Sequence, residues 1–258
     1  MTAVGVHHLI EGGWDAPTVV LAGSLGSTLS VWDPQVPALA EHFRVVRYDT
    51  RGHGSSPAPP GPYSIDDLAD DMVALLDTLG VNRAHVVGLS LGGMTAIRMA
   101  ARRPDRVDRL ALLCAAAQMS PAQAWADRAA LVRAQGPGAV AAAVAGRWLT
   151  DERRRDHPED LQRLVSMISA TPAEGYASCC TAIEHMDLRT DLPRIAAPTL
   201  VVGAAGDPSI PVANQRALAA GISGARLEIV EHAAHLASFE QPDAVNALLV
   251  DHLHGPAG

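Results

Sequence analysis

The stretch "AHVVGLSLGGMTAIRMAARRPDR" (84–106) decides the fold. It opens on an apolar run, passes through Gly-Leu-Ser-Leu-Gly at 88–92, and continues into a helical pattern. A core position here would carry Val or Leu, and a solvent turn would carry Asn, Asp or Pro. A hydroxyl held between two glycines where a buried strand meets a helix is a nucleophile's position instead. In G-x-S-x-G the serine takes a strained backbone conformation on a sharp turn, which lifts its Oγ above the sheet edge. Flanking side chains would clash there, so Gly88 and Gly92 are required, and Gly93 lets the helix approach the sheet. The helix that follows aims its first amides and the positive end of its dipole at any oxyanion formed beside Ser90.

Outward from this turn, short apolar runs alternate with helical stretches. Runs at 18–23, 43–49, 84–89, 107–114, 199–204 and 226–231 read as strands, most of them apolar throughout, as in sheets covered on both faces. Between them, 33–42 reads as a helix with Pro34 in its first turn, and 64–80 as an amphipathic helix capped by Ser64 and closed by Gly80. Residues 6–12 suit an antiparallel edge strand forming a hairpin with 18–23. The alternation predicts an α/β fold with a mostly parallel central sheet and helices on both faces. It breaks between about 118 and 190, where every segment reads as helix. The expected organisation is therefore a core of 1–117 and 191–258 with a helical lid, 118–190, inserted over the sheet's carboxyl end.

Composition narrows the chemistry. The chain has 258 residues, 48% of them apolar, and a formal charge of −8, which disfavours nucleic acid as a partner. The arginine run in "DERRRDHPED" (151–160) is neutralised by its own acids and reads as a solvated helix face. There is no lysine, which excludes Schiff-base chemistry, a pyridoxal phosphate site and a Walker A loop. Three cysteines, Cys114, Cys179 and Cys180, make no disulfide framework and suit a reducing compartment. The N-terminus lacks the basic and apolar regions of a signal peptide, and no run reaches transmembrane length, so a cytoplasmic protein without membrane contact is expected. A homo-oligomer is compatible with all of this.

A serine nucleophile needs a base, and the base needs an orienting carboxylate, in the chain order Ser, acid, His. Asp207, in a Gly/Pro loop directly after the run at 199–204, is the expected acid, while Asp187 and Asp191 read as turn and capping residues. Of the histidines after the last strand, His235 is the expected base and His232 a structural neighbour. A metal site on these two fails for want of a third ligand. The Leu91 amide supplies one arm of an oxyanion hole, and the loop 24–27 the other, through Ser24 or alternatively Leu25. Asp49 and Arg51, in the Gly-rich loop 47–56, are expected to tie loops together near the elbow, with His53 a weaker pocket candidate.

The chain resembles the α/β-hydrolase superfamily over its whole length. More narrowly it resembles the 3-oxoadipate enol-lactonases of aromatic-acid catabolism and the β-ketoadipate pathway. The resemblance is carried by 24–56, 61–94, the lid segments "GRWLT" (146–150) and 171–189, and "HAAHLASFEQP" (232–242). The family's triad falls on Ser90, Asp207 and His235. One departure is "LAGS" (21–24), where many relatives have a His-Gly pair. Some relatives carry a fused decarboxylase domain, which is not expected in a sequence ending at Gly258. The resemblance implies a serine hydrolase that opens a small lactone bearing a carboxylate, with no metal or organic cofactor. Leu25, Trp32, Arg133, Arg147 and Trp148 are then candidates for the substrate pocket. Other ester, lactone or carbon–carbon bond hydrolases share this scaffold, as would a non-catalytic ligand-binding protein.

Overall fold

A computed structural model describes residues 2–255; the outermost positions of the expected core segments, 1 and 256–258, lie outside the described residues. Seven strands form one sheet: β1 (His8–Glu11), β2 (Thr18–Ala22), β3 (Arg44–Tyr48), β4 (Ala84–Leu89), β5 (Val107–Leu113), β6 (Thr199–Ala204) and β7 (Arg226–Val230). Their order across the sheet is β1-β3-β2-β4-β5-β6-β7, parallel throughout except β1. Successive residues of β2, Val19, Val20, Leu21 and Ala22, are all 0% exposed. Since neighbours on a strand point to opposite faces, both faces of the sheet are covered.

The covering helices are α1 (Val36–Ala40), α2 (Ile65–Thr78), α3 (Leu91–Arg102), α9 (Val212–Gly221) and α11 (Pro242–His254), with a short α10 (Ala237–Glu240) before the last. The N-terminus of α2 is closed by a reciprocal cap, in which Ser64 accepts from the Asp67 amide and Asp67 accepts from the Ser64 amide. Two expectations are corrected. The strand at the N-terminus pairs with β3, His8 opposite Tyr48, and not with β2. β2 is already bonded on both sides, to β3 and β4, so the edge left for β1 on this side of the sheet is that of β3. The first helix starts at Val36, not Asp33, because Leu29–Trp32 forms a separate 3-10 turn ahead of it.

Between β5 and β6 lie α4 (Ala122–Gln135), α5 (Gly138–Trp148), α6 (Asp151–Asp156), α7 (Pro158–Ser169) and α8 (Ala173–His185). α4 packs along α8, and α5 along α7. The Leu188 amide donates to the Ala117 carbonyl at 2.8 Å, closing the base of this helical insertion. Its seat on the core is close. Gly175 of α8 lies against the Gly52 backbone so tightly that a Cβ on either would collide with main chain. Among the described residues no helix is long and apolar enough to cross a membrane.

Candidate active site

Ser90 stands between β4 and α3 with φ 54° and ψ −113°, a conformation that L-residues rarely adopt. The glycines explain how the turn closes. A Cβ on Gly88 would strike the Gly92 carbonyl, one on Gly92 would strike the Ala22 carbonyl, and one on Gly93 would come within 2.5 Å of Ala115 Cβ. The Ser90 amide donates to the Leu113 carbonyl at 2.9 Å, and the Gly92 amide to the Gly23 carbonyl at 3.0 Å. The second bond ties the elbow to the loop carrying Ser24 and Leu25. Among the described residues the amides of Ser24, Leu25 and Leu91 meet no acceptor.

Asp207 and His235 come from separate loops, after β6 and β7, and meet with Nδ1 2.8 Å from Oδ2. Both are buried, at 5% and 3% exposure. A carboxylate can only accept, so His235 carries its proton on Nδ1 and leaves Nε2 as an acceptor. Asp207 Oδ1 is held by the amides of Ser209 at 2.7 Å and Ile210 at 3.0 Å. The carboxylate is therefore fixed by three donors. His232 is exposed on the surface side of this loop, and its carbonyl accepts from Gln241 Nε2 at 3.0 Å. Asp187 is exposed and pairs with Arg189, while Asp191 is buried against Arg98 at 2.9 Å.

A buried glutamate braces the histidine loop. Glu240 Oε2 accepts from the Ala234 amide at 2.6 Å, while its Oε1 accepts from the Thr150 amide at 2.8 Å and hydroxyl at 2.7 Å. One side chain thus joins the loop holding His235 to the helical insertion. The Leu236 amide adds a bond to the Trp148 carbonyl at 2.9 Å. On the other side, His53 Nε2 accepts from the Gly26 amide at 2.9 Å and fixes the 24–27 loop. That bond needs an unprotonated Nε2, and burial agrees, pushing the His53 pKa down to about 4. His53 shapes that loop rather than the cavity wall. Asp49 accepts from the Leu29 and Ser55 amides at 2.7 Å and 2.9 Å, and Arg51 pairs with Asp71.

Ser90 and His235 open onto one cavity of about 230 Å³, lined by α4, α5 and α8 on one side and by the loops at the ends of β2 and β6 on the other. Ser24, Leu25, Arg147 and Trp148 line it. Trp32 and Arg133 do not, and these two expectations are corrected. Trp32 ends the 3-10 turn with 0% exposure, its indole packed into the hydrophobic core. Arg133 points outward and pairs with Glu174 at 3.2 Å. The cation of α4 that does face the cavity is Arg128, with Trp125 and Ala124 about one turn before it. Five residues beyond Arg128, Arg133 is rotated about 140° around the helix. The i,i+3 relation of Trp125 and Arg128 was in the sequence, but an alanine-rich helix shows no contrast between its faces.

One set of potential metal ligands occurs among the described residues, Cys114, Asp207 and His235, with donor atoms within 4.8 Å of one another. Its donors do not suit an ion. His235 Nδ1 and both Asp207 oxygens are occupied by one another and by backbone amides, and burial raises the Cys114 pKa, keeping the thiol protonated.

Comparison with known proteins agrees with this architecture. The α/β hydrolase fold family matches residues 17–242. The chain is 40% identical to 3-oxoadipate enol-lactonase 2 of Acinetobacter baylyi, over 94% of this chain and 91% of that protein. It is 32% identical to a Stutzerimonas stutzeri protein named for carbamate hydrolysis, over 98% of each. The crystal structure of the enol-lactonase from Burkholderia xenovorans LB400 superposes with a TM-score of 0.95 at 43% identity, covering 97% of this chain and 96% of that one. A small-ester or lactone hydrolase role is supported by this kinship, and the chain belongs to the α/β-hydrolase family.

Proposed function

We propose that this chain is a cytoplasmic serine hydrolase that opens 3-oxoadipate enol-lactone with water to give 3-oxoadipate, a step of aromatic-acid breakdown. The observation that carries the reading is one cavity holding both a strained-elbow serine and a histidine oriented by a buried carboxylate. The enol-lactonase relatives point to the substrate class.

In this mechanism Ser90 Oγ attacks the lactone carbonyl while His235 Nε2 takes its proton. The oxyanion of the tetrahedral intermediate is received by the Leu91 amide and by that of Ser24 or Leu25. On collapse, the bond from the carbonyl carbon to the ring oxygen breaks. The ring oxygen leaves with the electron pair and receives the proton held by His235. The resulting enol rearranges to the ketone. Water then attacks the Ser90 ester, giving its proton to His235, which passes a proton to the departing Ser90 Oγ as the carboxylic acid is freed. Asp207 stabilises the imidazolium formed in each half-reaction. All acid–base steps use side chains of this chain, and none calls for a metal or an organic cofactor. The partner implied is a small lactone bearing a carboxylate, and neither nucleic acid nor membrane enters the scheme.

Hydrolysis of a small carbamate is the competing reading, on the strength of the Stutzerimonas stutzeri relative. A panel of in situ generated enol-lactone, p-nitrophenyl acetate and a small carbamate separates the two. Enol-lactone is expected to have the highest kcat/KM, and preference for the carbamate would overturn the assignment. Ser90→Ala and His235→Ala should each lower kcat by at least about a thousandfold, whereas His232→Ala should stay within a few-fold of the parent. A fluorophosphonate should label Ser90; failure to label it would indicate a binding protein on a hydrolase frame.

A further inference from the structure

His235 lies in residues 231–236, a stretch without regular structure between β7 and α10. An imidazole on such a stretch is placed only as well as its backbone is held. The amide just before it, of Ala234, donates to Glu240 Oε2 at 2.6 Å. The amide just after it, of Leu236, donates to the Trp148 carbonyl at 2.9 Å. Glu240 is in turn tied to the helical insertion, where its Oε1 accepts from the Thr150 amide at 2.8 Å and hydroxyl at 2.7 Å. Both chain neighbours of the base are thus anchored, directly or through Glu240, to the segment 148–150 at the turn from α5 to α6. The other anchors of the stretch lie within the core: the Ala233 carbonyl accepts from the Gly206 amide, and the His232 carbonyl from the Gln241 side chain.

Two features set Glu240 apart from an ordinary buried polar residue. It is 7% exposed, and among the described residues no arginine or histidine forms an ion pair with it. A charge buried without a counter-ion is costly, and a neutral side chain would be cheaper to enclose. What the carboxylate adds is acceptance at both ends: one oxygen serves the catalytic loop and the other serves the insertion, where a side-chain amide accepts at one end only. The second feature is strain beside the base. His232 has φ 54°, a left-handed conformation that a non-glycine residue holds only where its surroundings impose it.

We infer that Glu240 is a positioning residue for His235, and that through Thr150 it makes the placement of the base depend on the seating of the helical insertion. The inference rests on the hydrolase reading for its effect on turnover, while the placement of the imidazole is a matter of geometry alone. Glu240 is not part of the cavity wall, so it acts through the aim of His235 Nε2 and not through contact with substrate. A misplacement of about 1 Å at a reacting group costs about 10²-fold in rate. Loss of the carboxylate therefore falls on kcat. The Thr150 hydroxyl, three residues before the Arg153 amide that it caps, carries the start of α6 into the same bond network.

The test follows p-nitrophenyl acetate hydrolysis in Glu240→Ala, Glu240→Gln and Thr150→Val, with active sites counted by fluorophosphonate titration and folding checked by circular dichroism. Glu240→Ala should lower kcat by about tenfold to a hundredfold while KM stays within about threefold of the parent. The glutamine oxygen can still take the Ala234 amide, so Glu240→Gln should recover part of the loss. Thr150→Val should lower kcat by about two- to tenfold alone and add nothing in the Glu240→Ala background, because its hydroxyl acts through the carboxylate. Glu152→Gln, a change to an exposed acid of α6, should leave kcat unaltered. The placement is also read without turnover, from the downfield proton resonance of His235 Nδ1–H, which should shift or broaden in Glu240→Ala and vanish in His235→Ala. A Glu240→Ala kcat within about twofold of the parent, a loss confined to KM, or a resonance that stays in place would overturn the positioning role. Additive losses in the double variant would overturn the coupling to the insertion. If the parent neither hydrolyses the ester nor takes the fluorophosphonate, the hydrolase reading fails, and the resonance alone decides whether Glu240 places His235.

Discussion

Replacing Asp207 by asparagine and by alanine separates what this residue does for catalysis from what it does for the fold. In the parent, Oδ1 takes two backbone amides and Oδ2 takes His235 Nδ1–H. Asparagine keeps an oxygen for the amides of Ser209 and Ile210. Its NH2 group then faces His235 Nδ1, and two donors cannot share a bond. The imidazole is driven to the other tautomer, with its proton on Nε2, where it can no longer accept from Ser90 Oγ. In a serine protease with a Ser-His-Asp triad, the Asp-to-Asn change lowers kcat by about 10⁴-fold, or about 5 kcal/mol. A loss of similar size is expected here. Stability should fall only by the charged character of one hydrogen bond, about 1–2 kcal/mol. Alanine removes the acceptor altogether and leaves the buried Ile210 amide unpaired, adding about 1–3 kcal/mol, with a smaller cost at the half-buried Ser209 amide. Both variants should be nearly inactive, and Asp207→Ala should unfold at clearly lower denaturant. Steady-state hydrolysis of p-nitrophenyl acetate and urea unfolding measure the two quantities. Asp207→Asn activity within tenfold of the parent, or equal stabilities for the two variants, would refute this account.

Two further outcomes are expected. Trp148 is buried in the cavity wall, so Trp148→Ala should lower kcat/KM for the enol-lactone by about 1–3 kcal/mol, and by less for p-nitrophenyl acetate, which fills less of the cavity; equal losses on both substrates would mean that the indole supports the fold alone. Because the folded-state pKa of His53 is lowered to about 4, the unfolded chain binds a proton first as pH falls, and stability should drop by about 3 kcal/mol between pH 6.5 and 4 from this group; urea titrations across that range should show a shallower acid limb in His53→Asn, and an unchanged limb would show that His53 is not responsible.

Much of the site could be read before any coordinates because its parts are local. The elbow needs glycines at fixed offsets from Ser90, and strand runs with Gly/Pro loops after them mark the sheet's carboxyl end, where Asp207 and His235 lie. Ser64 and Asp67 specify a helix start within four residues. The pairing of β1 was decided elsewhere: β2 had no free edge once β3 and β4 flanked it, a long-range fact that no local pattern carries. The same holds for the cavity wall. α4 reads "AQAWADRAALVRAQ", and alanine suits either face of a helix, so the sequence determined that a helix forms but not its rotation. Packing of α4 against α8 turned Arg128 inward and Arg133 outward to Glu174. Trp32 likewise went to the core, because the 3-10 turn before α1 aims its indole away from Ser90's cavity. The sequence by itself thus determined the elbow around Ser90, the Asp207–His235 pair and the kind of sheet that carries them. Only tertiary packing decided which cations face the cavity, because the rotation of a helix with weak amphipathic contrast is set by its neighbours.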